Sequence, residues 1–315
     1  MEHLIFSLNA TIPVFFVIFA GWVLKKIGVL KASFQEANNT LVFRVLFPIM
    51  LFRDISQTDL NETFTAKFFF FCLFATLLCL FAVWGAALLF VKERAAIGSF
   101  VQGSIRGSAG VLGVAFAVNM YGHSGMVPLM MVAIVPVYNI SAVILLSIYS
   151  SEQSGNRTEQ LRQVVKDVVT NPLILGILAG VPFALLRVDF PAMADKCINN
   201  LADLTTPLAL LLVGSQFDFS TLSAKKVLTA VACVIKLVIQ PAVFLPLAVW
   251  MGFREQELIA LLIMLGAPST VSSYIMARNM HNDADLACGI VVITTLFSAV
   301  TVTGFIYILR VLGYV

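Results

Sequence analysis

The chain has 315 residues, 60% of them hydrophobic and 12% charged, with a mean hydropathy of +0.96. A soluble domain carries about 25% charged residues, so this composition describes a polytopic helical membrane protein with almost no soluble part. The formal net charge of +3 is too small and too dispersed for a nucleic-acid-binding surface.

At about 20 residues per crossing, the apolar runs predict ten helices, at 4–26, 36–55, 67–91, 95–121, 126–149, 169–187, 197–217, 226–250, 256–279 and 285–311. The opening Met1-Glu2-His3 lacks the basic start of a signal peptide, so the first run reads as a retained helix. The second run is interrupted by Arg44 and Arg53. The longest hydrophilic segment, Ser150 to Asp167, divides the runs five and five. Within it, Gln160 to Lys166 has the spacing of a short surface helix, or else belongs to a solvated linker. With the N-terminus outside, eleven Lys and Arg fall on inner loops and six on outer ones, among them Lys25, Lys26, Lys92 and Arg94 inside. That bias predicts both termini outside and a cytoplasmic linker at 150–168. Five cysteines (Cys72, Cys79, Cys197, Cys233, Cys288) show neither a CxxC nor a Cys/His metal spacing, and nothing calls for a cofactor.

The fourth run holds Arg106-Gly107-Ser108-Ala109-Gly110-Val111-Leu112-Gly113. Glycines weaken a helix, and an intramembrane arginine is costly unless it faces a cavity or a partner. The stretch therefore predicts a helix broken at membrane depth. An internal repeat supplies its counterpart. Pro48 to Leu51 with Ser56, Gln57 and Asp59 corresponds to Pro207 to Leu210 with Ser215, Gln216 and Asp218, at one offset of 159. Five helices per copy is odd, so the second copy enters the membrane inverted, as in secondary transporters. The same offset carries Gly107 to Gly266, which opens Gly266-Ala267-Pro268-Ser269-Thr270-Val271-Ser272-Ser273 in the middle of the ninth run. Pro268 removes a backbone donor there. Two breaks in opposite orientations bring helix ends together near the midplane, where N-termini favour anions and unwound carbonyls favour cations.

The candidate site follows from these breaks. Arg106 leads, because a guanidinium grips a carboxylate with two hydrogen bonds; its alternative work is to tie loose carbonyls of the break. Ser108, Gly110, Pro268, Ser269, Thr270, Ser272 and Ser273 line the two breaks, although hydroxyls also bond back to their own helix. Asn139, a buried amide in the fifth run, either joins the site or bonds between helices. Asn9 and Thr11 in the first run are weaker candidates. Arg44 and Asp203 occupy equivalent repeat positions, four residues before the repeated proline; either could line an access path or serve a coupling ion, or else snorkel or form a structural pair. Lys236 is a third candidate for the access path or the coupled ion, and otherwise snorkels or pairs with an acid. Asp203 alone places an acid well inside a run, which favours a proton over sodium as the coupled ion and leaves uniport open. His123 and His281 fall near loops.

The chain resembles the auxin efflux carrier family, bacterial carriers related to the plant PIN auxin transporters and to malate and malonate permeases. The likeness rests on Pro13 with Gly21, Leu46 to Phe52, Asn171 to Ile174, Pro207 to Leu210 through Gly214, and Lys236-Leu237 through Pro241. It continues in Ala267 to Thr270 with Tyr274 and Ala277, then in Asp285 to Ala287 with Ser298. The resemblance implies an all-α, PIN- and NhaA-like fold of ten helices in two inverted five-helix repeats, 1–149 and 169–315, with helices four and nine broken and crossing. It also implies a scaffold of helices 1, 2, 6 and 7, a transport domain of helices 3–5 and 8–10, elevator-like alternating access, and a possible homodimer. The expected substrates are small organic anions, either dicarboxylates or auxin-like acids. Where the family often has Asn and Pro in helix four, this chain has Ser108 and Ala115.

Other classes fit less well. A channel or a solute receptor would share the fold. An intramembrane serine hydrolase would use Gly122-His123-Ser124-Gly125 with His281 as base, but that pattern also reads as a turn. HExxH, Walker and dinucleotide motifs are absent from the sequence.

Overall fold

Runs of Phe, Leu, Ala and Val become long helices because a backbone in lipid must satisfy its own hydrogen bonds. The computed structural model describes residues 13, 16–57, 65–109, 117, 120–121, 125–152, 157–186, 188, 190–216 and 225–315. We label the helices α1 (16–26), α2 (Ala32–Leu41), α3 (Phe47–Ser56), α4 (Ala66–Phe90), α5 (Arg94–Ile105), α6 (Val127–Tyr149) and α7 (Arg157–Thr170). They continue as α8 (Pro172–Leu186), α9 (Ala192–Gln216), α10 (Lys226–Val234), α11 (Gln240–Trp250), α12 (Glu255–Gly266), α13 (Val271–Asn279) and α14 (Ala284–Val311). Among the described residues, α4, α6, α9, the joined α10–α11 and α14 are each long and apolar enough to cross a membrane. On α4, Phe70, Phe74, Leu78, Phe81 and Leu88 are all exposed. An apolar stripe left exposed on one helix suits contact with lipid.

Two of these helices run through a widened π turn. Val42–Leu46 links α2 to α3, and Ile235–Ile239 links α10 to α11. A proline follows each π segment by two residues, Pro48 and Pro241. A proline lacks the N–H for the carbonyl four residues back, and its ring crowds that carbonyl. Widening the preceding turn relieves the clash without ending the helix. The same two turns carry the cations Arg44 and Lys236.

Glycine lets two pairs of helices touch backbone to backbone. On α9, a Cβ at Gly214 would stand 1.8 Å from the carbonyl oxygen of Ile18 on α1. Facing it, a Cβ at Gly21 would stand 2.3 Å from the oxygen of Leu211. In α8, Gly176 and Gly180 form a G-x-x-x-G face on α3, where a Cβ would meet the oxygens of Pro48 at 2.5 Å and Phe52 at 2.8 Å. Thr205 on α9 donates its hydroxyl to the Leu46 carbonyl at 3.1 Å. A second body of buried side chains joins α4, α5, α6, α12 and α14, with Phe68 and Phe71 closing on Phe253.

The segment after α6 is helical, as the spacing of Gln160 to Lys166 allows: α7 covers it and bends by 50° into α8 at Asn171. At the membrane end of α10, Lys225 bonds to Glu93 at 3.0 Å and to Asp283. Partial burial opposes its charge, but these carboxylates outweigh it and hold its pKa above the ordinary lysine value.

Candidate anion site at two broken helices

The fourth predicted helix stops early. After Ile105, Arg106 takes an extended conformation (φ −84°, ψ 119°), and its N–H makes the last helical bond, to Gln102. α12 likewise ends at Gly266, Ala267 is extended (φ −64°, ψ 152°), and the helix resumes at Val271. The two extended pieces meet. Gly107 and Ser269 form an antiparallel bridge, and Ser108 N–H donates to the Pro268 carbonyl at 2.8 Å. The two breaks inferred from glycine and proline are thus brought together backbone to backbone.

Each break leaves carbonyls without their helical donors, and the structure shows where they go. Ser104 and Ile105 would have been bonded by residues 108 and 109. Instead, Gln240 Nε2 donates to the Ser104 oxygen at 2.8 Å, and Lys236 Nζ donates to the Ile105 oxygen at 3.1 Å. Met264 would have been bonded by residue 268, which is proline. Lys236 Nζ takes that oxygen as well, at 3.0 Å. Gln102 Nε2 reaches the Ser273 oxygen at 2.9 Å, tying α5 to α13. The N–H of Ser269 donates to Thr294 Oγ1 on α14 at 3.0 Å.

Arg106 is buried (7% exposed). Its guanidinium donates to Asn139 Oδ1 at 2.8 Å and contacts the Met276 sulfur at 2.9 Å. Asn139, at 1% exposure, orients its amide by donating Nδ2 to the Val135 carbonyl at 2.9 Å. Among the described residues no carboxylate forms an ion pair with Arg106. The arginine therefore bonds a neutral amide rather than the loose carbonyls of its own break. Ser108 and Thr270, one in each break, are half-buried.

The hydroxyls of the second break are partly spoken for. Ser273 donates to the Thr270 carbonyl at 2.7 Å and meets Ser269 Oγ at 3.4 Å, and Thr270 meets Ser272 at 3.1 Å. Of the other candidates, Arg44 is exposed on its π turn. Asp203, with its side chain 72% exposed, pairs with Arg53 at 2.7 Å rather than with Arg44. Lys236 does not snorkel, and among the described residues it pairs with no acid; it is fully buried on carbonyls. His281 lies 3.2 Å from Glu152 at the far end of α13. Gly110, Ala115, His123, Ser124, Asn9 and Thr11 lie outside the described residues.

Gln102, Gln240, Met276 and Thr294 are parts of this centre that sequence reasoning passed over. The two glutamines carried the same signal as Asn139, an amide inside an apolar run. Met276 and Thr294 carried none, since thioethers and hydroxyls are ordinary in such helices.

A multi-pass helical bundle with a buried cation that has no ion-pair partner among the described residues, set at paired helix breaks, has the build of a membrane carrier. The chain matches the membrane transport protein family over residues 6–306 and belongs to it, the auxin efflux carrier family of the resemblance above. It is 24% identical to an uncharacterized transporter of Methanocaldococcus jannaschii, across 94% of this chain and 96% of that one. It is 23% identical to a candidate malonate transporter of Rhizobium meliloti, across 95% of this chain and 94% of that one. The family and both relatives bear the names of transporters rather than enzymes.

Proposed function

We propose that the protein is a secondary transporter of small organic anions, and that the crossing near Arg106 holds the carboxylate. The observation that carries this is a buried guanidinium whose strongest partner is a neutral amide. A buried charge is costly without a counter-charge, and a carboxylate arriving as substrate provides one with bidentate geometry. Ser108 and Thr270, half-buried residues of the two breaks, are the proposed hydroxyl donors to its second oxygen. A relative carries the name of a candidate malonate transporter, which supports a small dicarboxylate as the substrate.

In the proposed cycle, helices 3–5 and 8–10 of the sequence count carry the site past a scaffold of helices 1, 2, 6 and 7, with both termini outside. The glycine contacts of α1 with α9 and of α3 with α8 support a stiff scaffold. The Thr205–Leu46 bond joins residues 159 apart, the repeat offset, as residues beside a pseudo-twofold axis would be. A proton is the favoured coupled ion, and uniport is the alternative.

The test is a thermal-shift screen of the purified protein against malonate, malate, acetate and indole-3-acetate at two pH values. A ligand that binds only the folded state raises apparent stability by RT ln(1 + [L]/Kd). A carboxylate should raise the apparent Tm of wild type and leave Arg106→Gln unmoved. If no anion shifts wild type, or if Arg106→Gln responds and transports as wild type does, the reading is lost.

A further inference from the structure

Lys236 is fully buried, and its ammonium is bonded to backbone carbonyls. Its two carbonyl partners come from the C-terminal ends of two different helices. Ile105 is the last residue of α5, and Met264 is two residues from the end of α12. Helix C-termini carry partial negative charge, so this point between them attracts a cation. The carbonyl of Met264 is available because Pro268 cannot donate to it, and that of Ile105 because the chain turns away at Arg106. Gly107 leaves the room: a Cβ there would stand 3.0 Å from Lys236 Nζ and 3.3 Å from the Met264 oxygen. The π turn that bears Lys236 and the adjoining Gln240 sit behind both breaks, with Gln240 capping the neighbouring carbonyl of Ser104.

We propose that Lys236 is a tethered counter-cation: its ammonium permanently fills a carbonyl-lined cation site behind the crossing, so that no sodium ion loads there. This deepens the transport reading and rests on it for its purpose, although the site itself is read by cation binding alone. The ammonium clamps the two breaks together and adds a second fixed positive charge near Arg106. It is a positioning residue, acting through the carbonyls it ties.

The experiment deletes the fragment and returns it. Lys236→Ala removes three methylenes and the ammonium, the equivalent of n-propylammonium. The purified variant is heated with no addition, then with n-propylammonium chloride, sodium chloride or choline chloride at equal ionic strength, and with n-propanol. We expect an apparent Tm several degrees below wild type, at least half restored by n-propylammonium and left unrestored by choline or n-propanol. Lys236→Met, which keeps the bulk without the charge, should show the loss without the rescue. Wild type should have the same apparent Tm in sodium and in choline, a comparison that stands even if the alanine variant does not fold.

Three results overturn the proposal: wild type stabilised by sodium over choline, Lys236→Met as stable as wild type, or a destabilised Lys236→Ala that n-propylammonium fails to restore. None of these arms contains an organic anion. A failure of the carboxylate screen therefore removes the transport reading while leaving the cation site standing, and the reverse holds equally.

Discussion

Ser108 N–H donates to the Pro268 carbonyl at 2.8 Å, joining helix breaks that lie 160 residues apart in the chain. With the Gly107–Ser269 bridge, this fixes the separation and the angle of the two helix ends. Gly107 is the residue that a methyl group would disturb most directly. Gly107→Ala should push Lys236 off the Ile105 and Met264 carbonyls, since a flexible side-chain end gives way before backbone does. The expected cost is about 1–3 kcal/mol of stability, the usual range for overpacking, with a larger fractional loss of uptake in proteoliposomes. Thermal shift and uptake on one preparation check both.

Asn139→Asp separates charge from shape at the candidate site. The substitution keeps the shape and places a carboxylate where Oδ1 already accepts from Arg106 at 2.8 Å, while giving up the amide bond to the Val135 carbonyl. The internal ion pair should satisfy the guanidinium and exclude a substrate anion. A charge-assisted hydrogen bond contributes about 1.5–3 kcal/mol, so anion affinity should fall roughly 10- to 100-fold while the apparent Tm holds or rises. Titration calorimetry with the best anion of the screen reads the affinity. Unchanged binding would remove Arg106 from the substrate contact.

The glycine contacts predict a sharp contrast between neighbouring helices. Gly214→Ala aims a methyl at the Ile18 carbonyl from 1.8 Å, and both sides of the contact are backbone. α1 and α9 must separate, at a cost of about 1–3 kcal/mol or more, and the apparent Tm should drop. Gly85→Ala on α4 meets nothing within 4 Å. There the change should be neutral or stabilising by up to about 1 kcal/mol, the helix preference of alanine over glycine. Equal effects at the two positions would contradict the close packing of α1 on α9.

Much of this arrangement was legible in the sequence, because hydrophobic length and helix-breaking residues are local signals. The runs expected at 226–250 and 285–311 appear as the joined α10–α11, ending at Trp250, and as α14 (Ala284–Val311). Glycine and Pro268 marked both breaks, and the repeat offset paired them. The partners were not legible. Lys236 lies 131 residues from Ile105, and Gln102 lies 171 from Ser273. Which carbonyl a long side chain finds depends on which helix stands behind the break, and no periodicity encodes that. The partner of Asp203 was hidden in the same way: α3 and α9 pack so that Arg53 is the cation beside it.

Pro268→Ala tests whether the second break is needed as a break. The proline withholds a donor from the Met264 oxygen, and Lys236 occupies that acceptor in its place. Alanine restores the N–H and favours a helical conformation by about 3 kcal/mol relative to proline. The continuous helix from α12 into α13 would then compete with the crossing. Its new bond to Met264 displaces the ammonium, and turning residues 267–270 into helix withdraws the Pro268 carbonyl from Ser108. The outcome expected is a protein that is at least as stable as wild type but transports about tenfold less or worse, since the helix gains what the site loses. Uptake and apparent Tm should therefore move in opposite directions. If they fall together, Pro268 serves packing, and if uptake survives, the break is dispensable for carrying the anion.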